Sequence, residues 1–276
     1  LFRSGQPIGT WSDDTSLVLA TLDCLSVRYD LTLLGSNFCQ WYYLNDYTPH
    51  GEVFDCGIQA KAGIKRINSF IKLNQRVTPM PPEIDDKKNG NGSLMRILPF
   101  AFYLIDHPIE GRFRVINEVS SLTHSHIRSV ISCFIYTELV SELLAGEDKF
   151  TATQKMQTKV LGFLENIVPT TELVLFDRIL KTDISILKER EIKSGTYVLE
   201  TLEAVIWCFL RGENYQDSVL SAVNLGGDTD TIAALVGGLA GITFGLENIP
   251  REWIELLEDK KTIVDFVDIF ICKCVT

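Results

Sequence analysis

At 276 residues, with 46% hydrophobic side chains and nine prolines, the chain can bury a sizeable core and is too apolar to be disordered. A formal charge of −10 with no basic block argues against a nucleic-acid backbone or an acidic membrane surface as partner. A phosphorylated ligand would then need a local source of positive charge, and metal ions are the obvious one.

Helical periodicity dominates from the start. The stretch "GTWSDDTSLVLATL" sets Asp13 and Asp14 between a serine and a threonine, immediately ahead of a helical pattern over residues 16–29. A second helix is expected over 64–73. The breaker-rich section 78–92, "TPMPPEIDDKKNGNG", reads as one long loop, and such loops are usually functional. Further helices are expected over 94–105, 127–144, 151–167, 173–187, 197–210 and 217–223. Gly226 and Gly227 then lead into "DTDTIAALVGGLAG", with a helix over 231–244 and shorter ones over 253–257 and 263–271.

Strand alternation is scarce and repeated strand–helix units are absent, so the expected fold is all-α, a single domain over 1–276. The longest apolar run, 232–246, has fifteen residues, five of them glycine or threonine. That is short of the roughly twenty needed to span a bilayer. The glycines at 237, 241 and 245 recur every four residues, a spacing that lets another backbone approach one helix face. The seven cysteines (24, 39, 56, 133, 208, 272 and 274) are odd in number and form no Cys-x-x-Cys, which suits reduced core thiols of a cytoplasmic protein. The pair at 272 and 274 is the one placed for reactivity.

Ser12-Asp13-Asp14-Thr15 and Asp228-Thr229-Asp230-Thr231 both have the form of a helix N-terminus, where one side-chain oxygen caps free N–H groups. Either alone is accounted for as a cap. Together they supply four carboxylates and up to four hydroxyls, far more than capping needs. If the two helix starts converge, like charges 4 Å apart repel by roughly 1 kcal/mol in water and about 4 kcal/mol at an effective dielectric of 20. Two divalent cations would balance Asp13, Asp14, Asp228 and Asp230, and hard oxygen ligands select Mg²⁺, Mn²⁺ or Ca²⁺ over zinc. Such a pair can hold and activate a water.

The segment Asn89-Gly90-Asn91-Gly92-Ser93, ahead of an apolar helix, can present backbone N–H groups to a diphosphate; as an isolated motif it reads first as a turn. His124 and His126 are two apart, so on a helix they would not share a face and do not form a zinc pair.

"GTWSDDTSLVL", "NGNGSLMRILPFAF", "LTHSH", "SGTYVLETLEAVIWCF" and "AVNLGGDTDTIAALVGGLAG" occur in the order seen in the ADP-ribosylglycohydrolase family, which the chain resembles from about Gly9 to Trp253. The resemblance implies a compact helical fold around a dinuclear site. Ser12, Asp13 and Asp14 would bind metal from one side, and Asp228, Asp230 and Thr231 from the other, with Asp13, Asp14 and Asp230 central to catalysis. Two Mg²⁺ (or Mn²⁺) ions are implied as cofactors, and an ADP-ribosylated protein or ADP-ribose derivative as partner.

Asn91, Gly92 and Ser93 would border the ADP-ribose, with His124 facing the pocket. Gly195 and Tyr197 would flank the ligand, Tyr197 stacking on a ring or serving the core. His126 is expected to be structural, and Arg96 to anchor the loop through an internal ion pair. The implied reaction is hydrolysis at the anomeric carbon through an oxocarbenium-like transition state, with a proton supplied to an arginine or serine leaving group.

Relatives begin with a Gly-rich segment that in some members carries that acid. This chain starts a short way before Gly9, so the segment is expected to be absent. Glu83, Asp85 and Asp86 are the substitutes in view, and Lys87 and Lys88 would instead neutralise phosphate. The alternative is a binding relative, immunity-like or crystallin-like; retention of all four aspartates favours the enzyme. A glycosyltransferase Asp-x-Asp lacks the nucleotide-binding βαβ pattern it would need.

Overall fold

The computed structural model describes residues 5–274, and every described element is helical apart from two isolated backbone bridges. In chain order the helices are α1 (Asp13–Val27), α2 (Leu31–Leu44), α3 (Ile58–Lys72), α4 (Leu98–Tyr103), α5 (Ile109–Ser120), α6 (Ile127–Leu144), α7 (Lys149–Leu164), α8 (Thr170–Leu173), α9 (Asp177–Leu180), α10 (Val198–Arg211), α11 (Tyr215–Asn224), α12 (Thr229–Phe244), α13 (Arg251–Leu256) and α14 (Lys260–Cys274). None is long and apolar enough to cross a membrane.

Four helices form the centre, and their sequences say why. α6 buries every residue from Ser129 to Ser141, and α10 every residue from Val198 to Leu210 except Glu200. Both are predominantly apolar and present no wholly polar face, as suits helices inside a larger protein. α1 and α12 join them, contributing Leu17, Leu19, Leu22 and Leu25 from one and Ile232, Leu235, Val236 and Leu239 from the other. Amphipathic helices cover this core. α2 and α14 pack on α1, α5 and α7 on α6, and α11 on α10 and α12. A buried ion pair ties three of them together: Arg112 of α5 donates to both oxygens of Glu138 on α6 at 2.5 and 2.7 Å, with Lys159 of α7 at 3.3 Å. Glu138 is fully buried, so removal of either partner would strand a charge.

The all-α expectation holds, and α6 matches its expected bounds. Two expected helices are broken. Residues 94–105 form a 3₁₀ turn, Leu94–Arg96, followed by the short α4 with Pro99 in its first turn. Residues 173–187 divide into short pieces, and Asp183 draws the Ser185 N–H and hydroxyl to its own carboxylate, an alternative to helical bonding. α2 and α5 were not foreseen. α2 is capped by Asp30, which accepts from the N–H groups of Thr32 and Leu33, and it ends at Asn45 in the left-handed conformation.

The glycines of α12 admit a side chain, not a backbone. A Cβ on Gly237 would sit 3.2 Å from the Tyr215 hydroxyl of α11, and Gly241 faces the same ring. Gly245 lies beyond the helix as its C-cap, at φ +85°. All seven cysteines are thiols. Of the terminal pair, Cys274 is half-buried, its Sγ donates to the Leu25 carbonyl at 3.1 Å, and burial pushes its thiol up.

Candidate active site

The N-termini of α1 and α12 open into one cleft of about 720 Å³, a size suited to a small ligand. Asp13 and Asp14 line it from one side, and Asp228, Asp230 and Thr231 from the other. Segments more than two hundred residues apart in sequence therefore meet.

Neither acidic segment behaves as an ordinary cap. Ser12 is the N-cap of α1 and Asp228 that of α12, yet neither side chain accepts a capping bond from its helix's backbone. Asp30, Asp148 and Asn214 cap α2, α7 and α11 in the usual way. The Ser12 hydroxyl donates instead to Asp14 Oδ2 at 2.7 Å. Asp228 Oδ2 accepts from Asn91 Nδ2 at 2.5 Å. Its backbone is set by consecutive left-handed glycines at φ +73° and +70°. Gly227 lies against the Ser194 carbonyl, where a Cβ would come within 2.1 Å, and the Asp228 N–H donates to that same oxygen.

The electrostatics are severe. Burial, reinforced by Asp14, Asp55 and Asp230, pushes the Asp13 carboxyl up to about 9. Burial and Asp230 push Asp14 up to about 7, against the Ser12 and Thr231 hydroxyls, which favour its ionised form. Asp228 is also raised, chiefly by burial, while Asn91 opposes the shift. Asp14 Oδ1 is buried with no hydrogen-bond partner. Among the described residues, no three acidic, imidazole or thiol side chains converge closely enough to enclose an ion as they stand. The donor set nevertheless fits a hard divalent cation: it is all oxygen, negatively charged and short of positive partners, and one buried carboxylate oxygen is unsatisfied.

The glycine loop forms the next wall. Asn91 donates to Asp228 and, at 2.9 Å, to Thr201 of α10, so it braces the acidic site. Gly92 faces His124 closely, and a Cβ there would lie 2.8 Å from the ring. The Ser93 side chain lies beneath the cleft, fully buried, where its hydroxyl accepts from Ser120 and Cys133. The Gly90 N–H donates to Gln59 Oε1 and the Asn91 N–H to the Thr196 carbonyl, so these two amides are not available to an anion. The expected long helix behind the loop is replaced by a 3₁₀ turn and the six-residue α4.

Arg96 does anchor this loop, but not through an ion pair. Its guanidinium, 1% exposed, donates to the Gly92 carbonyl and to Thr123 Oγ1 and stacks 4.8 Å from the centroid of the Phe38 ring. Burial lowers its pKa to about 10, against the opposing pull of Asp13.

His124 lines the cleft, with Nδ1 2.8 Å from Thr123 Oγ1; burial and Arg96 lower it to about 3, so the ring is neutral. His126 is buried outside the cleft lining and accepts the Arg128 N–H at the start of α6, the structural part expected of it. Tyr197, the N-cap of α10, is half-buried at the cleft and hydrogen-bonded to Arg128. Gly195 lies outside the lining, and its carbonyl accepts from Thr201.

Of the substitute acids, Glu83 lines the cleft, but Lys88 and the Asp85 N–H hold it at about 2. Asp86 pairs with Arg128 at 3.0 Å, and Asp85 caps the Lys87 N–H. The sequence reading missed Asp55, an exposed carboxylate on the cleft wall with left-handed backbone, close enough to act on Asp13 and Asp228. It missed Gln59 also. A lone aspartate in an irregular segment carries no spacing signal.

Known proteins resemble this chain over most of its length. An ADP-ribosylarginine hydrolase of Serratia proteamaculans is 26% identical over 262 residues, covering 94% of this chain and 66% of its own length. The chain thus spans just under two thirds of that relative. The ADP-ribosyl-(dinitrogen reductase) glycohydrolase of Rhodospirillum rubrum is 25% identical over 255 residues, covering 91% of this chain and 75% of its own. A solved chain from an ADP-ribosylglycohydrolase-related protein complex has the same fold, with a TM-score of 0.75 at 23% identity, over 97% of this chain and 83% of that one. The ADP-ribosylglycohydrolase family model matches residues 2–274, and with so nearly complete a match the chain belongs to that family.

Proposed function

We propose that the chain is a cation-dependent hydrolase that releases ADP-ribose from a modified protein side chain. Arginine is the acceptor to test first, since the Serratia relative carries that substrate in its name. The observation that carries the reading is the convergence of two acidic helix starts on one cleft, with a buried, unsatisfied Asp14 oxygen between them.

Ser12, Asp13, Asp14, Asp228, Asp230 and Thr231 are the residues that would hold two Mg²⁺ or Mn²⁺ ions. When bound, the ions supply Lewis-acid polarisation and counter-charge. The chain's own groups do the rest. Asn91 and Ser12 hold Asp228 and Asp14 in orientation. Gly92 leaves room beside His124, whose neutral ring offers a hydrogen bond without adding charge. Tyr197, fixed by Arg128, offers a face to the nucleoside. Ser93 and Gly195 shape the site from behind it.

A proton must reach the leaving group, and Lys88 keeps Glu83 engaged in an ion pair. Asp55, exposed on the wall beside Asp13, is our assignment for relaying that proton from solvent water to the departing group. One continuous core across the described residues supports a single domain, and seven thiols support a reducing, cytoplasmic setting.

The test is release of free ADP-ribose from an ADP-ribosylated arginine peptide, by protein stripped with chelator and then resupplied with Mg²⁺ or Mn²⁺. Cation-dependent release is expected. Folded, cation-loaded protein that frees no ADP-ribose from arginine or serine peptides would overturn the reading in favour of a binding protein.

A further inference from the structure

The cleft is acidic, yet the ligand proposed for it carries a diphosphate. We infer that Lys87 is the residue that recognises this diphosphate and so selects phosphorylated over unphosphorylated nucleosides. The inference rests on the ADP-ribose reading above.

Three independent observations single out Lys87. Only two lysines and no arginine are among the cleft-lining groups, both on the 78–92 loop. Lys88 is already matched, at 2.9 Å, by Glu83 Oε2. Lys87 makes no ion pair among the described residues. The other nearby cation, Arg96, lies under the loop and is held by Gly92 and Thr123. His124 is neutral.

The backbone route to phosphate is also restricted. The Gly90 and Asn91 amides donate to Gln59 and Thr196, and the loop leads first into a 3₁₀ turn, with only the six-residue α4 beyond it. A side-chain cation supplies a full charge that the remaining neutral amides of the loop do not.

The loop holds Lys87 at the cleft. The Lys87 N–H donates to Asp85 Oδ1 at 3.0 Å, and the Lys88 N–H to the Asp85 carbonyl at 2.8 Å, forming a turn. Asp86, the preceding residue, is fastened to Arg128 at 3.0 Å, and Arg128 also holds Tyr197. The ammonium group is thus carried by the same framework that places the proposed nucleoside-facing ring.

The test is calorimetric binding of ADP-ribose to the Mg²⁺-loaded wild type and to Lys87→Arg, Lys87→Ala, Lys87→Glu and Glu83→Gln/Lys88→Ala variants. Affinity should follow charge at position 87. Lys87→Arg should be close to wild type, Lys87→Ala weaker by about five- to tenfold, and Lys87→Glu weaker still. The double variant Glu83→Gln/Lys88→Ala, which removes both charges of a balanced pair, should change binding by less than about twofold. Raising salt from about 0.05 to about 0.5 M should weaken wild-type binding more than that of Lys87→Ala. Equal affinity for wild type and Lys87→Ala, or loss in Lys87→Arg as large as in Lys87→Glu, would overturn this inference alone. No ADP-ribose binding by folded, Mg²⁺-loaded wild type would overturn both it and the functional reading.

Discussion

Replacing Asp14 by asparagine should stabilise the cation-free protein while abolishing its response to cations. The side chain keeps its shape, and its amide oxygen can still accept from Ser12, but the buried charge is gone. Folding raises the Asp14 carboxyl from an ordinary 3.8 to about 7. At 1.36 kcal/mol per pKa unit, ionising it inside the fold costs up to about 4 kcal/mol. An acid whose pKa is raised on folding lends its full stabilisation below pH 3.8 and loses it as pH climbs through the folded value. Without cations the wild type should therefore weaken steadily from about pH 4 to pH 7 on account of Asp14, and on towards pH 9 on account of Asp13.

At pH 8 in chelator, thermal unfolding of Asp14→Asn should occur up to roughly ten degrees above wild type, at about 2–4 °C per kcal/mol for a chain of this size. Mg²⁺ at a hundredfold excess over its Kd should raise wild-type stability by about 2.7 kcal/mol and leave the variant unmoved. Were Asp14 simply a helix cap, the substitution would instead lower stability by about 1 kcal/mol and leave the cation response intact. That result would refute the reasoning.

Asn91→Ala removes the donor that fixes Asp228, so the Mg²⁺ concentration for half-maximal activity should rise about 10- to 100-fold, as for other residues that orient metal ligands; an unchanged cation requirement would contradict that role. Gly92→Ala drives a methyl group into the His124 ring and should weaken ADP-ribose binding by at least about tenfold, given an overpacking cost of 1–3 kcal/mol. Combining it with His124→Ala should give less than the sum of the two single losses, measured by calorimetry, and strict additivity would show that the two residues do not meet.

The site was legible where the chain repeats a device. Two acidic helix starts, each oversupplied with oxygen, are visible because one cap needs one acceptor, and the structure brings them to one cleft. α6 was legible because apolar residues recur at helical spacing along its full length. α2 was hidden by Gly35, Ser36 and Asn37 at its middle, residues that argue against a helix locally. Tertiary packing explains two of them: a Cβ on Gly35 would strike Ile67 of α3 at 2.7 Å, and Asn37 donates to the Ala20 carbonyl of α1. The ion pair expected of Arg96 failed because that reading assumed a buried guanidinium needs a carboxylate, whereas a carbonyl, a hydroxyl and an aromatic face hold it here. Asp55 owes its importance entirely to where the chain folds it, which no local pattern encodes.

The bond from Asn91 to Asp228 spans 137 positions of sequence, and that from Asn91 to Thr201 spans 110. At a translation rate of about 5–20 residues per second, the glycine loop leaves the ribosome on the order of ten seconds before its partners exist. During that interval the nascent chain can form α1 to α6, but the cleft has only one of its walls. Capacity to bind ligand should consequently appear late and abruptly in synthesis, when α12 docks, rather than grow in step with the helices.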